Sequence, residues 1–198
     1  MLSLFLINYR EQLMKKNPDQ GKLIYFLCGA DDGRNTGVSI LRGLIFQLLE
    51  ESESTFKYIK AAYTKHGRGL FREDRFETLW KVFAAMIRDE RLESVTCILD
   101  GLDECIEDSL VPLWIKIRSL YYPDSPALAK KPKVRLGIIV TSRNYPESFE
   151  DYLHNFPRLK LGPDFDAEIR TDIEKYIDHR MEEIACAERK KPALGTLR

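Results

Sequence analysis

Three short apolar runs stand out in this chain, and most of its remaining apolar residues recur at helical spacing. The runs cover residues 23–28 (L-I-Y-F-L-C), 95–99 (V-T-C-I-L) and 135–141 (R-L-G-I-I-V-T). A strand buried on both faces produces such a run, because neither side of it meets water. Between the runs, Val38, Leu41, Leu44, Ile45, Leu48 and Leu49 share one face of a helix that starts at Thr36. Residues 56–65 form a second helical pattern, stopped by the glycines of G-R-G. Asp74 is placed to cap a third helix, whose stripe is Phe76, Leu79, Trp80, Phe83, Met86 and Ile87. Residues 110–121 read as a fourth, carrying Leu113, Trp114, Ile117 and Leu120. The opening M-L-S-L-F-L-I-N-Y-R reads as the latter part of a buried or amphipathic helix running on through Met14. It has no N-cap, so it looks cut. A proline-rich surface loop follows over 122–132, then a short fourth strand over 158–161. A last helix starts at Asp164 or Asp166 with Ile169, Ile173, Ile177, Met181 and Ile184 in register. Strands that alternate with helices predict a parallel sheet covered on both faces.

Composition narrows the function classes. The chain has 198 residues, enough for one domain with a proper core, and 44% of them are hydrophobic. Its 31 basic and 31 acidic residues cancel, so no global field argues for a nucleic acid or an anionic membrane as partner. The amino-terminal apolar stretch lacks the basic start and cleavage site of a secretory signal, and it is too short to span a bilayer. Four cysteines (Cys28, Cys97, Cys105 and Cys186) lie far apart with no zinc spacing. Cys28 and Cys97 fall inside apolar runs and read as reduced core thiols, which fits a cytosolic or nuclear protein, and the cytoplasm is the expected location. His66, His154 and His179 sit in polar surroundings and make no case for catalysis or metal binding. Trp80 and Trp114 read as core; Tyr121 and Tyr122, followed by Pro123, are candidates for an exposed edge.

The candidate chemistry lies just beyond the second and third strands. T-C-I-L-D-G-L-D-E-C (96–105) delivers Asp100 to a strand end, with Asp103 and Glu104 close behind. Open α/β sheets bind ligands in the crevice at the carboxyl ends of their strands. Two readings fit these ten residues equally. One is a Walker B-type site, where an aspartate helps hold the magnesium of a bound nucleotide. The other is a strand followed by an acidic helix start. The third strand ends in T-S-R-N-Y-P-E, bringing Thr141, Ser142 and Arg143 to the same edge. Alone, Arg143 is better read as a surface partner of a nearby acid such as Glu147. Beside the carboxylates of another strand, it is better read as a ligand for polyphosphate.

Together, L-I-Y-F-L-C-G-A-D-D-G-R-N-T-G-V-S-I-L-R-G-L-I-F-Q-L-L, C-I-L-D-G-L-D-E-C and I-I-V-T-S-R resemble the NACHT domains of fungal NLR-like signalling ATPases. These belong to the STAND class of P-loop NTPases, and the version here resembles the nephrocystin-3-type module over residues 1–185. The resemblance implies that Asp100 is the magnesium-binding Walker B aspartate. It implies that Asp103 and Glu104 form the catalytic acidic pair, with Glu104 orienting the attacking water. Arg143 then occupies the sensor 1 position that reads the γ-phosphate, and Thr141 and Ser142 are the small polar residues before it. The implied fold is a three-layer, P-loop NTPase-like α/β domain, a parallel sheet with helices on both faces. The implied parent is a receptor with an effector domain and repeats, switching between ADP and ATP. Residues 1–187 would be the partial NACHT domain and 188–198 a basic tail or the start of a linker.

One part of the family pattern is missing. A phosphate loop needs G-x-x-x-x-G-K-[ST], and the chain contains no such string. Its nearest decoy, G-A-D-D-G-R-N-T (29–36), has one residue too few between its glycines, Arg34 in place of Lys, and two aspartates that would repel phosphate. The first strand and phosphate loop are therefore expected to be absent, through truncation, a shortened gene model or degeneration. Magnesium and ATP or ADP belong to the intact parent, and this chain is expected to bind neither usefully. A lost central strand would also leave its neighbours with unpaired edges, so marginal stability is expected. Expected partners are a second copy or other NLR-type signalling proteins, not nucleic acid and not a membrane. A haloacid dehalogenase-type phosphatase would need D-x-D where the chain has D-G-L-D. A restriction-type nuclease would need E-x-K where Glu104 is followed by Cys105 and Ile106. The serious competitor is a non-catalytic interaction scaffold that keeps the NTPase fold.

Overall fold

The computed structural model describes residues 2–17, 21–30, 33–122, 135–143 and 148–159, with single helical positions at 171, 174, 175, 177 and 181. The chain divides into two compact units, Met1–Asn155 and Phe156–Arg198. The first unit runs α1 (Leu2–Lys16), β1 (Lys22–Leu27), α2 (Gly37–Glu51), α3 (Phe56–His66), α4 (Phe76–Met86), β2 (Ser94–Asp100), α5 (Glu107–Tyr121), β3 (Arg135–Thr141) and α6 (Ser148–Leu153). Among the described residues, the strands form a three-stranded parallel sheet in the order β1-β2-β3. Parallel neighbours need long crossovers, and helices supply them: α2 to α4 between β1 and β2, and α5 between β2 and β3. The fold class is α/β, as the alternation of runs and stripes predicts.

Alternation along the strands assigns the two faces. Ile7 of α1 packs with Leu23 and Ile98, and Leu6, Met14, Tyr25 and Leu27 close around them. The opposite face carries Phe26, against which α2 lies so closely that a Cβ at Gly43 would fall 2.6 Å from the ring. Behind α2, the buried residues Leu41, Leu44, Ile45 and Leu48 meet the stripe of α4, including Leu79 and Phe83. Trp80 and Trp114 are buried as expected. The outer edge of β1 is closed by one side chain. Gln47 accepts from the Tyr25 N–H at 2.9 Å and donates to the Tyr25 carbonyl at 2.7 Å, which blocks pairing of that edge with another chain.

Several boundaries differ from the sequence reading for identifiable reasons. α4 is not capped by Asp74: it starts at Phe76 after Arg75, and Asp74 instead lies beside Arg72 and Arg75. α5 starts at Glu107 rather than at Leu110. Glu107 and Asp108 favour the positive end of the helix dipole there, and Pro112 is carried inside the helix. Cys28 lies just past the end of β1 and is only half-buried, so it is not a core thiol; Cys97 is. Arg158 and Leu159 belong to no strand, while residues 160–161, the loop 123–132 and most of the last helical pattern lie outside the described residues.

Gly21 sets the entry into the sheet. Its φ of +94° lies in the region that side chains avoid, and a Cβ there would fall 1.9 Å from Ser94 Oγ and 2.5 Å from the Ser94 carbonyl oxygen. Gly21→Ala is therefore expected to destabilise the unit by about 2 kcal/mol or more in urea unfolding. An unchanged midpoint would show that the turn does not set the β1–β2 register.

Candidate functional site

The register of the sheet assembles the site. Leu27, Asp100 and Thr141 are paired across the three strands, so their carboxyl ends finish in one row. Asp100 and Thr141, as direct neighbours, face the same side of the sheet, the side on which α1 lies. From α1 comes Ser3, only 2% exposed, whose hydroxyl donates to Asp100 Oδ1 at 2.5 Å and lies 3.0 Å from Thr141 Oγ1. Thr141 also donates its hydroxyl to Asp100 Oδ1. The backbone fixes this corner as well. The Cys28 N–H donates to the Asp100 carbonyl at 2.9 Å, and the Gly101 N–H to the Thr141 carbonyl at 3.0 Å.

Immediately after Asp100 the chain must turn, and Gly101 makes the turn at a φ of +68°. A single 3-10 turn, Leu102–Glu104, follows, anchored by Leu102, which is fully buried. This turn presents Asp103 to β3. Asp103 accepts from Arg143 Nε at 2.6 Å, from the Arg143 backbone N–H at 3.1 Å and from the Ser142 hydroxyl at 3.3 Å. Glu104 lies farther from the same guanidinium, 3.9 Å from Nη2. Asp103 is tucked in, its side chain 5% exposed, whereas Arg143 is 78% exposed and Glu104 40%. Burial pushes the Asp103 carboxyl up, but the side-chain and backbone hydrogen bonds from Arg143 outweigh it and hold it below the ordinary carboxylate range. The Arg143 guanidinium is held above its usual value, chiefly by its hydrogen bond to Asp103.

The structure thus brings Asp100 to Thr141, and Asp103 to Ser142 and Arg143, with Glu104 at the rim. Arg143 pairs with Asp103 across the strands; Glu147 lies outside the described residues. The repulsion expected among three carboxylates is relieved separately, by hydroxyls at Asp100 and by a guanidinium at Asp103. Among the described residues, no three His, Cys, Asp or Glu side chains gather closely enough to hold a metal ion together. The oxygen set at Asp100, one carboxylate with two hydroxyls, is the hard-donor chemistry that magnesium accepts when water fills the remaining positions.

In the decoy loop at 29–36, residues 31 and 32 lie outside the described residues, and the flanking backbone is bonded to itself. The Gly29 N–H donates to the Arg34 carbonyl at 3.3 Å, making a tight antiparallel bridge. The N-terminus of α2 behind it is capped from within the chain. Thr36 and Ser39 exchange hydrogen bonds of 3.0 Å in a capping box, and the Gly37 N–H donates to Ser109 Oγ at 3.3 Å. The N–H groups of Thr36, Gly37 and Ser39 at that helix end are thus taken up by side chains of the chain itself.

Two features escaped the sequence reading. Ser3 is hidden inside M-L-S-L-F-L, where its one available signal was being the lone hydroxyl in an apolar turn. Cys28 is placed at the same corner by its backbone, its N–H bonded to the Asp100 carbonyl at 2.9 Å, which its place in an apolar run did not signal.

Residues 1–143 match the model of the family described as nephrocystin 3, N-terminal. The chain belongs to this family. Over 175 residues it is 29% identical to the vegetative incompatibility protein HET-E-1 of Podospora anserina, an alignment covering 87% of this chain. It spans 12% of that relative's length. No solved structure matches the chain. Among the described residues of this nephrocystin 3 N-terminal family member, no helix is long and apolar enough to cross a membrane.

The Asp103–Arg143 pair makes a pH-dependent contribution of defined sign. Because the folded carboxyl is depressed, the stabilisation is complete above the unfolded value and is lost as pH falls through the lower folded value. A carbon-13 titration of Asp103 is expected to place it below the ordinary range in the wild type and to shift it upward in Arg143→Ala. An identical titration in both proteins would show that the pair does not form in solution.

Proposed function

We propose that this unit is the Walker B and sensor portion of a NACHT-type nucleotide switch with a P-loop NTPase-like, three-layer architecture. One observation supports the reading above the rest. Asp100 and Thr141 end adjacent parallel strands side by side, with Asp103, Glu104, Ser142 and Arg143 on the turns just beyond. Within the nephrocystin 3 N-terminal family, this is the edge where a nucleotide and its metal would be read. Asp100 would hold magnesium, with the hydroxyls of Ser3 and Thr141 turning from hydrogen bonds on Oδ1 toward its hydration shell. Bound there, magnesium neutralises phosphate charge.

The other residues take roles that their geometry allows. Arg143, largely exposed, exchanges Asp103 for a γ-phosphate oxygen, so the ion pair acts as a latch that nucleotide opens. Glu104, at the solvent rim of the same turn, orients the water that attacks. Ser142 steadies Asp103 while Arg143 is away. The phosphates themselves need a nest of N–H donors and a lysine. The sequence contains no G-x-x-x-x-G-K-[ST] to supply them, and the one similar loop is closed on itself. This chain by itself therefore holds magnesium-ATP no better than weakly. Its place is in a larger signalling protein of the NLR-like kind, in keeping with its resemblance to a vegetative incompatibility protein, with a second copy or another such protein as partner.

A second reading is supported by α1, whose Leu2, Leu4, Phe5 and Tyr9 are each about half exposed or more, with the Phe5 and Tyr9 rings stacked 6.1 Å apart. Such a face suits a protein-interaction scaffold that keeps the fold without using nucleotide. One experiment separates the two. The chain is compared with a version extended before Met1 by a strand and a G-x-x-x-x-G-K-T loop, both titrated with ATP in magnesium. The unextended chain is expected to show no micromolar affinity. The extended chain is expected to gain magnesium-dependent binding that Asp100→Asn weakens at least tenfold and Arg143→Ala weakens for ATP more than for ADP. Micromolar binding by the unextended chain, or none by a folded extended chain, would overturn the switch reading; the latter would favour the scaffold.

A further inference from the structure

We propose that α3 and the turn after it form a docking surface for an anionic phospholipid membrane. The charges of the chain balance overall but not locally: residues 56–72 hold five basic side chains and no acidic one. The balanced total, which argued against a membrane partner, averages over this patch. A charged surface responds to the charges within about a Debye length, ~8 Å at physiological salt, and not to the total. Lys57 is committed within the fold, paired with the buried Asp89 at 2.8 Å, and Arg72 lies 3.4 Å from Asp74. Lys60, Lys65 and Arg68 are exposed and pair with no acid among the described residues.

The fold turns these groups outward. Ile59 is buried on the inner side of α3, which packs on α4. Phe56, Lys60 and Tyr63 follow at spacings of four and then three, so they form one stripe on the outer side. Phe56 is 56% exposed and Tyr63 46%. Gly67 ends the helix at a φ of +55°, and the fully buried Leu70 pins the turn beyond it. That turn carries Arg68 and brings the Phe71 ring to 6.4 Å from the Tyr63 ring.

Exposed rings set among unpaired lysines suit a membrane surface. The long stems let the ammonium groups reach lipid phosphates and carboxylates while the rings enter the headgroup layer. The stripe stands on the outer side of a helix, a ridge that a plane of headgroups meets along its length; peptides are held in grooves or along sheet edges. Tyr63 and Phe71 are tilted 45° to each other, so they offer stacked bases no shared platform. None of these residues belongs to the Asp100 edge, and α3 packs on α4, which in turn packs on α2. Docking here therefore makes no use of the nucleotide reading.

The test is co-sedimentation of the full chain with vesicles of phosphatidylcholine alone and of an equal mixture with phosphatidylserine. Binding to the mixed vesicles only, lost at high salt, is expected. Lys60→Glu together with Lys65→Glu is expected to weaken it about tenfold or more. Lys15→Glu together with Lys16→Glu, the same change of charge at the end of α1, is expected to leave it nearly unchanged. In Phe56→Trp the added emission is expected to shift to the blue on mixed vesicles and to be quenched by brominated lipid, whereas Trp80 and Trp114 are buried. That reading stands even where a charge variant folds poorly. No binding, equal binding to both kinds of vesicle, or equal losses in the two double variants would each overturn the proposal. So would an unquenched Phe56→Trp, or tighter binding to polyuridylate or polyglutamate than to the mixed vesicles.

Discussion

One carboxylate oxygen ties together the parts of this molecule that matter for function. Asp100 Oδ1 accepts hydroxyl hydrogen bonds from Ser3 on α1 and Thr141 on β3, so the amino-terminal helix, the central strand and the outer strand are fastened at one point. Ser3 is buried, and a buried hydroxyl that loses its acceptor is costly. The bond therefore constrains where α1 sits along the sheet. It also settles the chemistry of the corner. A carboxylate at a strand end, flanked by two hydroxyls, is a structural anchor, and the same oxygens are what the proposed switch would offer a hard cation.

The second constraint is the charge on the turn after β2. Asp103 is nearly enclosed, and an enclosed carboxylate stays ionised only with strong partners. Arg143 provides them twice, through its side chain and its backbone, while its guanidinium remains in solvent. An exposed arginine paired to an enclosed acid is weakly held by Coulomb attraction and well oriented by hydrogen bonds. It can therefore change partners at modest cost.

Most of the fold was legible because burial writes itself into pattern. The runs at 23–28, 95–99 and 135–141 correspond to β1, β2 and β3 within a residue or so, and the stripes of α2 and α4 are the buried faces observed. The juxtaposition of Asp100, Asp103, Glu104, Thr141, Ser142 and Arg143 was legible too, since parallel strands bring their carboxyl ends to one edge. What escaped notice depends on contacts between distant segments. Nothing local marks Ser3 as the partner of a residue 97 positions away, and Cys28 reads as core although β1 ends one residue before it. Asp74 had the right chemistry for a cap; a 3-10 turn, Glu73–Arg75, takes up the position where it would have served.

The decisive quantity is where a divalent cation goes. Manganese, a paramagnetic stand-in for magnesium, can be added in substoichiometric amounts to the isotope-labelled chain while amide signals are followed by NMR. Selective broadening of Ser3, Gly101, Thr141 and Ser142, removed by Asp100→Asn, is the predicted result. Broadening spread evenly over surface acids, or centred on Glu107 and Asp108 at the start of α5, would contradict the placement of the metal-binding edge at Asp100.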